Sequence, residues 1–156
     1  MPARPQSLSL DPESRTQAAK ELFNYNWTLL EKPDRTANDD DMMVGAAHAS
    51  RLFWDEVGTA VHRVRGEWLI SRVYATLGRA EPSLHHARRC LGLCEIDGIG
   101  GFDLAFAYEA TARAQAVAGN AGESARYEEQ ARASAASISD KEDRDLLLAD
   151  LDTLPR

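Results

Sequence analysis

Two glycines, Gly78 and Gly119, stand 41 residues apart, and each closes a stretch whose apolar residues return every three or four positions. That spacing puts side chains on one stripe of an α-helix, and a glycine just past a helix supplies the left-handed residue that ends it. At the same offset Ser71 matches Ala112, Ser83 matches Ser124 and Cys90 matches Ala131. Small residues midway along one helix and early in the next let two helix backbones approach closely. The pattern predicts antiparallel helix pairs, at about 60–95 and 102–137.

The remaining segments read the same way. Asp11, Pro12 and Glu13 form a cap, a first helical residue and an acid matched to the helix dipole. They open a first helix with the stripe Ala19, Leu22, Phe23, Trp27 and Leu30, stopped by Lys32-Pro33. A second helix, capped by Asn38 or Asp39 and closed by Gly58, buries Met43, Ala47, Ser50, Trp54 and Val57. The third runs from Ala60 to about Leu77 with Val61, Val64, Trp68, Ser71 and Ala75 inward, and the fourth begins near Pro82. After the glycine-containing EIDGIGGFD comes a fifth helix, from Asp103 to about Ala118. Capping boxes Asn120/Glu123 and Ser139/Glu142 open a sixth and a seventh. The expected fold is all-α: about seven helices in one domain over 11–156, behind a loose N-terminus at 1–10.

Composition narrows the function classes. Eighteen Lys and Arg face 25 Asp and Glu over 156 residues, a net charge of -7 that repels a polyanion and argues against general nucleic-acid binding. No run of 18 apolar residues occurs, so no membrane span is expected, and no secretory signal core is visible at the start. Cytoplasm is the default location. Cys90 and Cys94, one helical turn apart, read as buried thiols, since a disulfide inside a helix has awkward geometry.

The two units read GEWLISRVYATLGRAEPSLHHARRCLGLC and AFAYEATARAQAVAGNAGESARYEEQARA. They resemble the tetratricopeptide repeat: Tyr74 and Gly78 match its tyrosine and turn glycine, and Tyr108 its aromatic near the helix start. Gln115 replaces the second tyrosine, the family's late proline is missing, and the period is 41 where the family has 34, with the excess expected in the linker near 96–102. The resemblance covers about 64–131 and implies a right-handed superhelix. The chain is also similar to a group of small bacterial proteins of unassigned activity, through AAHASRLFW at 46–54 and RGEWLISRVYATLGR at 65–79.

Chemistry concentrates in the second to fourth helices. Between Val61 and Cys94 six arginines face two glutamates, a local balance of +4. The candidate ligand- or peptide-binding residues are His48, Arg51, Trp54, Arg65, Glu67, Trp68, Arg72 and His86. Arginines would fix an anion while indoles bury an apolar part. The competing reading is structural: Glu67 or Asp55 holds an arginine and the tryptophans are core. No metal or other cofactor is expected, because HExxH is absent and His48, His62 and Glu67 would need two helices to converge. A His86–Cys90 pair is the one spacing that would activate a thiol. Two functions follow. The first is a non-catalytic repeat module that binds a protein or peptide on the face of the first, third and fifth helices. The second is a small-molecule or anion pocket, enzymatic or not, between the second and third. The leucines of the last helix, Leu146, Leu147, Leu148 and Leu151, exceed one face and suggest a stack cap or a homodimer contact.

Overall fold

The computed structural model describes residues 9–156, so most of the N-terminal stretch read as loose lies outside the described residues. Seven α-helices follow one another: α1 (Pro12–Leu30), α2 (Ala37–Val57), α3 (Ala60–Thr76), α4 (Ala80–Asp97), α5 (Gly101–Val117), α6 (Ala121–Ser134) and α7 (Lys141–Asp152). A single 3-10 turn, Ala135–Ser137, sits between α6 and α7, and there is no strand among the described residues. No helix there is long and apolar enough to cross a membrane.

The 41-residue period is visible in the backbone. Gly78 and Gly119 both take left-handed φ, 70° and 80°. Behind each, the same bonds tie off the helix: Gly78 N–H donates to Ala75 and Arg79 N–H to Tyr74, at 3.0 and 2.9 Å. Gly119 donates to Ala116 and Asn120 to Gln115, again at 3.0 and 2.9 Å. A side chain at either glycine would strain the turn whatever the space around it. The connections are short, three residues at 77–79 and three at 98–100. The expected long linker near 96–102 is therefore absent: α4 continues to Asp97, and the extra length of the period lies in helices of 17 and 18 residues.

Consecutive helices pack as α1 with α2, α3 with α4 and α5 with α6, and each seam runs through small residues. Ser50 donates to the Ala19 carbonyl at 2.8 Å. Ser71 and Ser83 bond reciprocally to each other's carbonyls at 2.9 and 3.0 Å, both fully buried. Each such bond contributes about 1 kcal/mol. In the third pair Ala112 and Ser124 are buried at the matching positions. Helix α5 buries alanines at 105, 107, 110, 112 and 114 on every side, and it touches α3, α4, α6 and α7.

Of the four helix starts with an expected cap, one stands where expected and three differ. Asp11 accepts the Ser14 N–H at 2.9 Å. Thr36, rather than Asn38 or Asp39, caps α2, while Asp39 returns the bond to the Thr36 N–H at 2.8 Å. Asp140, rather than Ser139, caps α7 by accepting from the Asp143 N–H. Asn120 turns its amide to Gln115 at 2.8 Å and makes no box with Glu123. Helix α7 buries Leu147, Leu151 and, just beyond its end, Leu154 against the end of the stack. Each such leucine contributes about 1.5–3 kcal/mol. Arg113 of α5 holds its last turn, donating to the Asp150 carbonyl at 2.8 Å and the Thr153 hydroxyl at 2.9 Å.

Candidate functional site

Helix α3 is buried from Gly66 to Ala75 except at Arg72. Successive residues on a helix point about 100° apart, so neighbours along α3 face different partner helices. The candidate residues therefore divide into two groups on opposite flanks of α3.

Toward α2 and α4 lies Glu67, a fully buried carboxylate. It accepts from Arg51 Nε at 2.7 Å, Arg89 Nε at 3.0 Å and His86 Nδ1 at 2.5 Å. Burial alone would raise its pKa, but the His86 and Arg89 hydrogen bonds and the Arg51 charge outweigh it and hold the group at about 2. Arg51 also pairs with Asp55 at 3.3 Å. It crosses α3 over Gly66, where an added Cβ would meet Arg51 Cγ at 3.1 Å. His48 bonds the Tyr74 hydroxyl at 3.0 Å, and burial, then the charges of His86 and Arg51, lower its pKa. The acceptor capacity of Glu67 is nearly spent, so the cluster works as a structural charge centre.

Toward α1, α5 and α7 lies an aromatic cleft of about 400 Å³. Helix α1 gives Phe23, Trp27 and Glu31, and α3 gives Val64, Arg65 and Trp68. Phe102, Asp103 and Phe106 come from α5, and Leu146 and Asp150 from α7. Trp27 stacks on Trp68 with centroids 5.6 Å apart, Phe106 meets Trp68 edge-on at 6.0 Å, and Phe102 packs on Phe106 at 4.6 Å. The arginines beside the cleft are engaged. Arg65 grips Asp103 with two bonds, 2.7 and 3.2 Å, its guanidinium 5.7 Å from the Phe102 ring. Arg72 lies over Trp68 at 5.9 Å and reaches Asp150 and the buried Glu109 at 3.3–3.4 Å.

A smaller hollow of about 240 Å³ adjoins the cleft and shares Phe23 and Arg65 with it. Lys20, Asn24, Trp54 and His62 complete it. There Trp54 and His62 stack face to face, 3.9 Å apart and 4° from parallel. Burial, then the positive charges of Arg65 and Lys20, lower the His62 pKa.

His48, Arg51, Glu67 and His86 thus belong to one cluster, and Arg65, Trp68 and Arg72 to the other flank, with Trp54 at the edge of the smaller hollow. The pocket expected from His48, Arg51, Trp68 and Arg72 together is not assembled, because α3 lies between the pairs. His86 is engaged by Glu67, and Cys90 donates to the Val64 carbonyl, its thiol pushed up by Cys94 and by burial. No group of three or more His, Cys, Asp or Glu side chains among the described residues is placed to hold a metal ion. Phe102 and Phe106 were missing from the sequence reading, as was the role of Phe23 and Trp27 outside the core. Their signal is a four-residue apolar pair on each alternate helix: Phe23/Trp27, Val64/Trp68 and Phe102/Phe106. The chain matches no family model, no curated protein and no solved structure.

Proposed function

We propose that this chain is a non-catalytic helical-repeat module that takes a protein or peptide segment on the face of α1, α3 and α5. The observation that carries the reading is the aromatic cleft on that face, about 400 Å³ in volume, with four of its five aromatic side chains in mutual ring contact. Rigid aromatics bury much area at small entropic cost, the usual property of anchors for a partner's side chains. Stacked antiparallel hairpins in a tetratricopeptide-like right-handed superhelix would generate such a face. Contacts centred on the turns support the hairpins: Ser71–Ser83 and Val64–Cys90 are both centred on residue 77, and Tyr108–Tyr127 on the turn at Ala118.

A second reading has one observation in its favour. The cleft volume lies within the range of small-molecule pockets, roughly 300–1,000 Å³, so an apolar small molecule is the alternative occupant. The pocket expected between α2 and α3 gives way to this cleft, since its polar groups are bonded to one another.

The test uses Leu146, 52 % exposed at the cleft mouth. Leu146→Arg costs less than about 0.5 kcal/mol of stability as a surface change. Peptides selected from a random display library on the wild-type chain are then measured on the variant. Loss of affinity by about tenfold or more, with melting temperature retained, supports the reading. Selected peptides that bind the variant equally well refute it.

A further inference from the structure

The cleft and the smaller hollow adjoin at Phe23 and Arg65, and together they make a trough whose outer ends carry opposite charges, Glu31 and Lys20, unpaired among the described residues. Along α1 and its cap the residues facing it are Lys20, Phe23, Asn24, Trp27 and Glu31, a single helical stripe. At the Glu31 end the lining charges are Glu31, Asp103 and Asp150, with Arg65 bonded to Asp103 and Arg72 to Asp150, so Glu31 is the unpaired one. At the Lys20 end they are Lys20 and Arg65 beside His62, with no carboxylate in the lining. Neither Lys20 nor Glu31 forms an ion pair among the described residues, so both charges remain available to a partner.

Resting on the peptide-binding reading above, we infer that the trough takes a short extended segment. That segment carries two apolar anchors between an acidic residue, seated near Lys20, and a basic residue, seated near Glu31. The length fits. Glu31, the cap residue just past α1, stands eleven helical steps from Lys20, which is about 16 Å at 1.5 Å per residue. An extended chain rising about 3.3 Å per residue spans that with about five residues. One anchor occupies the space between Trp54 and Phe23, and the other the aromatic cleft at Trp68. The charges set register and orientation more than they set affinity.

The experiment is a double-mutant cycle between trough and peptide, read by fluorescence anisotropy at low salt. The parent probe is Glu-Phe-Ser-Leu-Ala-Lys, its two anchors two apart so that both face one side of an extended chain, and it is acetylated and amidated so that its termini carry no charge. Companion probes replace its Glu, its Lys or both by Gln. Glu31→Gln weakens binding of the parent by about threefold and leaves the Lys-free probe unchanged. Lys20→Gln does the same for the parent and spares the Glu-free probe. Both variants keep the wild-type melting curve, because neither side chain is packed. If the neutral probe binds as tightly as the parent, or if both variants weaken every probe equally, the charge assignment is wrong while peptide binding stands. If no probe competes with the peptides selected by display, both the register and the extended mode are wrong. If display itself yields nothing sensitive to Leu146→Arg, the binding reading fails first.

Discussion

Residues 67 and 68 are adjacent in the chain and opposite in purpose. On one flank of α3, Glu67 gathers Arg51, His86 and Arg89 into a closed cluster in which donors and acceptor are matched. On the other, Trp68 forms the wall of an open cleft whose aromatics touch one another and leave about 400 Å³ unfilled. Removing one partner from a closed charge cluster strands the others, so its energy goes into holding α2, α3 and α4 together. An open aromatic surface gains its energy only when something covers it. One helix thus joins a stability site to the proposed recognition surface, and variants on the two flanks should behave differently.

The largest expected difference comes from Glu67→Gln. It preserves volume but leaves two arginines and a histidine around a neutral amide, at a cost of about 3 kcal/mol or more. Denaturant melts will register this as a lower midpoint, while peptide binding measured on the remaining folded protein changes little. A midpoint shift no larger than that of Leu146→Arg would erase the contrast between the flanks.

Acid should act on the same flank. The folded-state pKa of Glu67 is depressed to about 2 from an ordinary 4.5, so its contribution is complete above about pH 4.5 and is lost as pH falls toward 2. That loss is about 3 kcal/mol at most. The pKa of His48 is also depressed in the fold, so its share is complete above about 6.5 and declines as pH drops below it. Urea melts between pH 7 and pH 3 will therefore show stability falling in two stages, with His62 adding to the first and Asp11, Asp39 and Glu128 to the second, and Glu67→Gln will shrink the second. An unchanged lower stage in that variant would remove Glu67 as its source.

These two flanks also mark the limit of what the sequence carries. The stripe of α2 was legible because that helix offers a single face: Met43, Ala47, Ser50 and Trp54 are buried, and only Val57 at its end is half-buried. Gly78 and Gly119 were legible because a turn chemistry is local. Thr36 and Asp140 were misjudged by a position or more because several polar residues in a row can each cap, and only the chain's path selects one. Helix α3 gave the least, since it is buried on nearly all sides and periodicity has no face to report. Its polar and aromatic residues were grouped by proximity in sequence, whereas the fold sorts them by direction. The cleft floor needs Phe23 and Phe102 from helices far apart in the chain, and pairing them requires the topology.

The smallest expected effect tests how the closed flank is built. Gly66 lies in the middle of α3, where alanine would ordinarily stabilise a helix by about 1 kcal/mol. Here the new Cβ would stand 3.1 Å from Arg51 Cγ and 3.4 Å from its Cβ, so Arg51 must yield by a few tenths of an ångström. Displacing it loosens the 2.7 Å bond to Glu67, and the two effects nearly cancel. Gly66→Ala should therefore be close to neutral in the wild-type chain and gain about 1 kcal/mol in an Arg51→Ala background. Equal effects in both backgrounds would mean that Arg51 does not need the glycine to reach across α3, and the close approach would be incidental to the charge cluster.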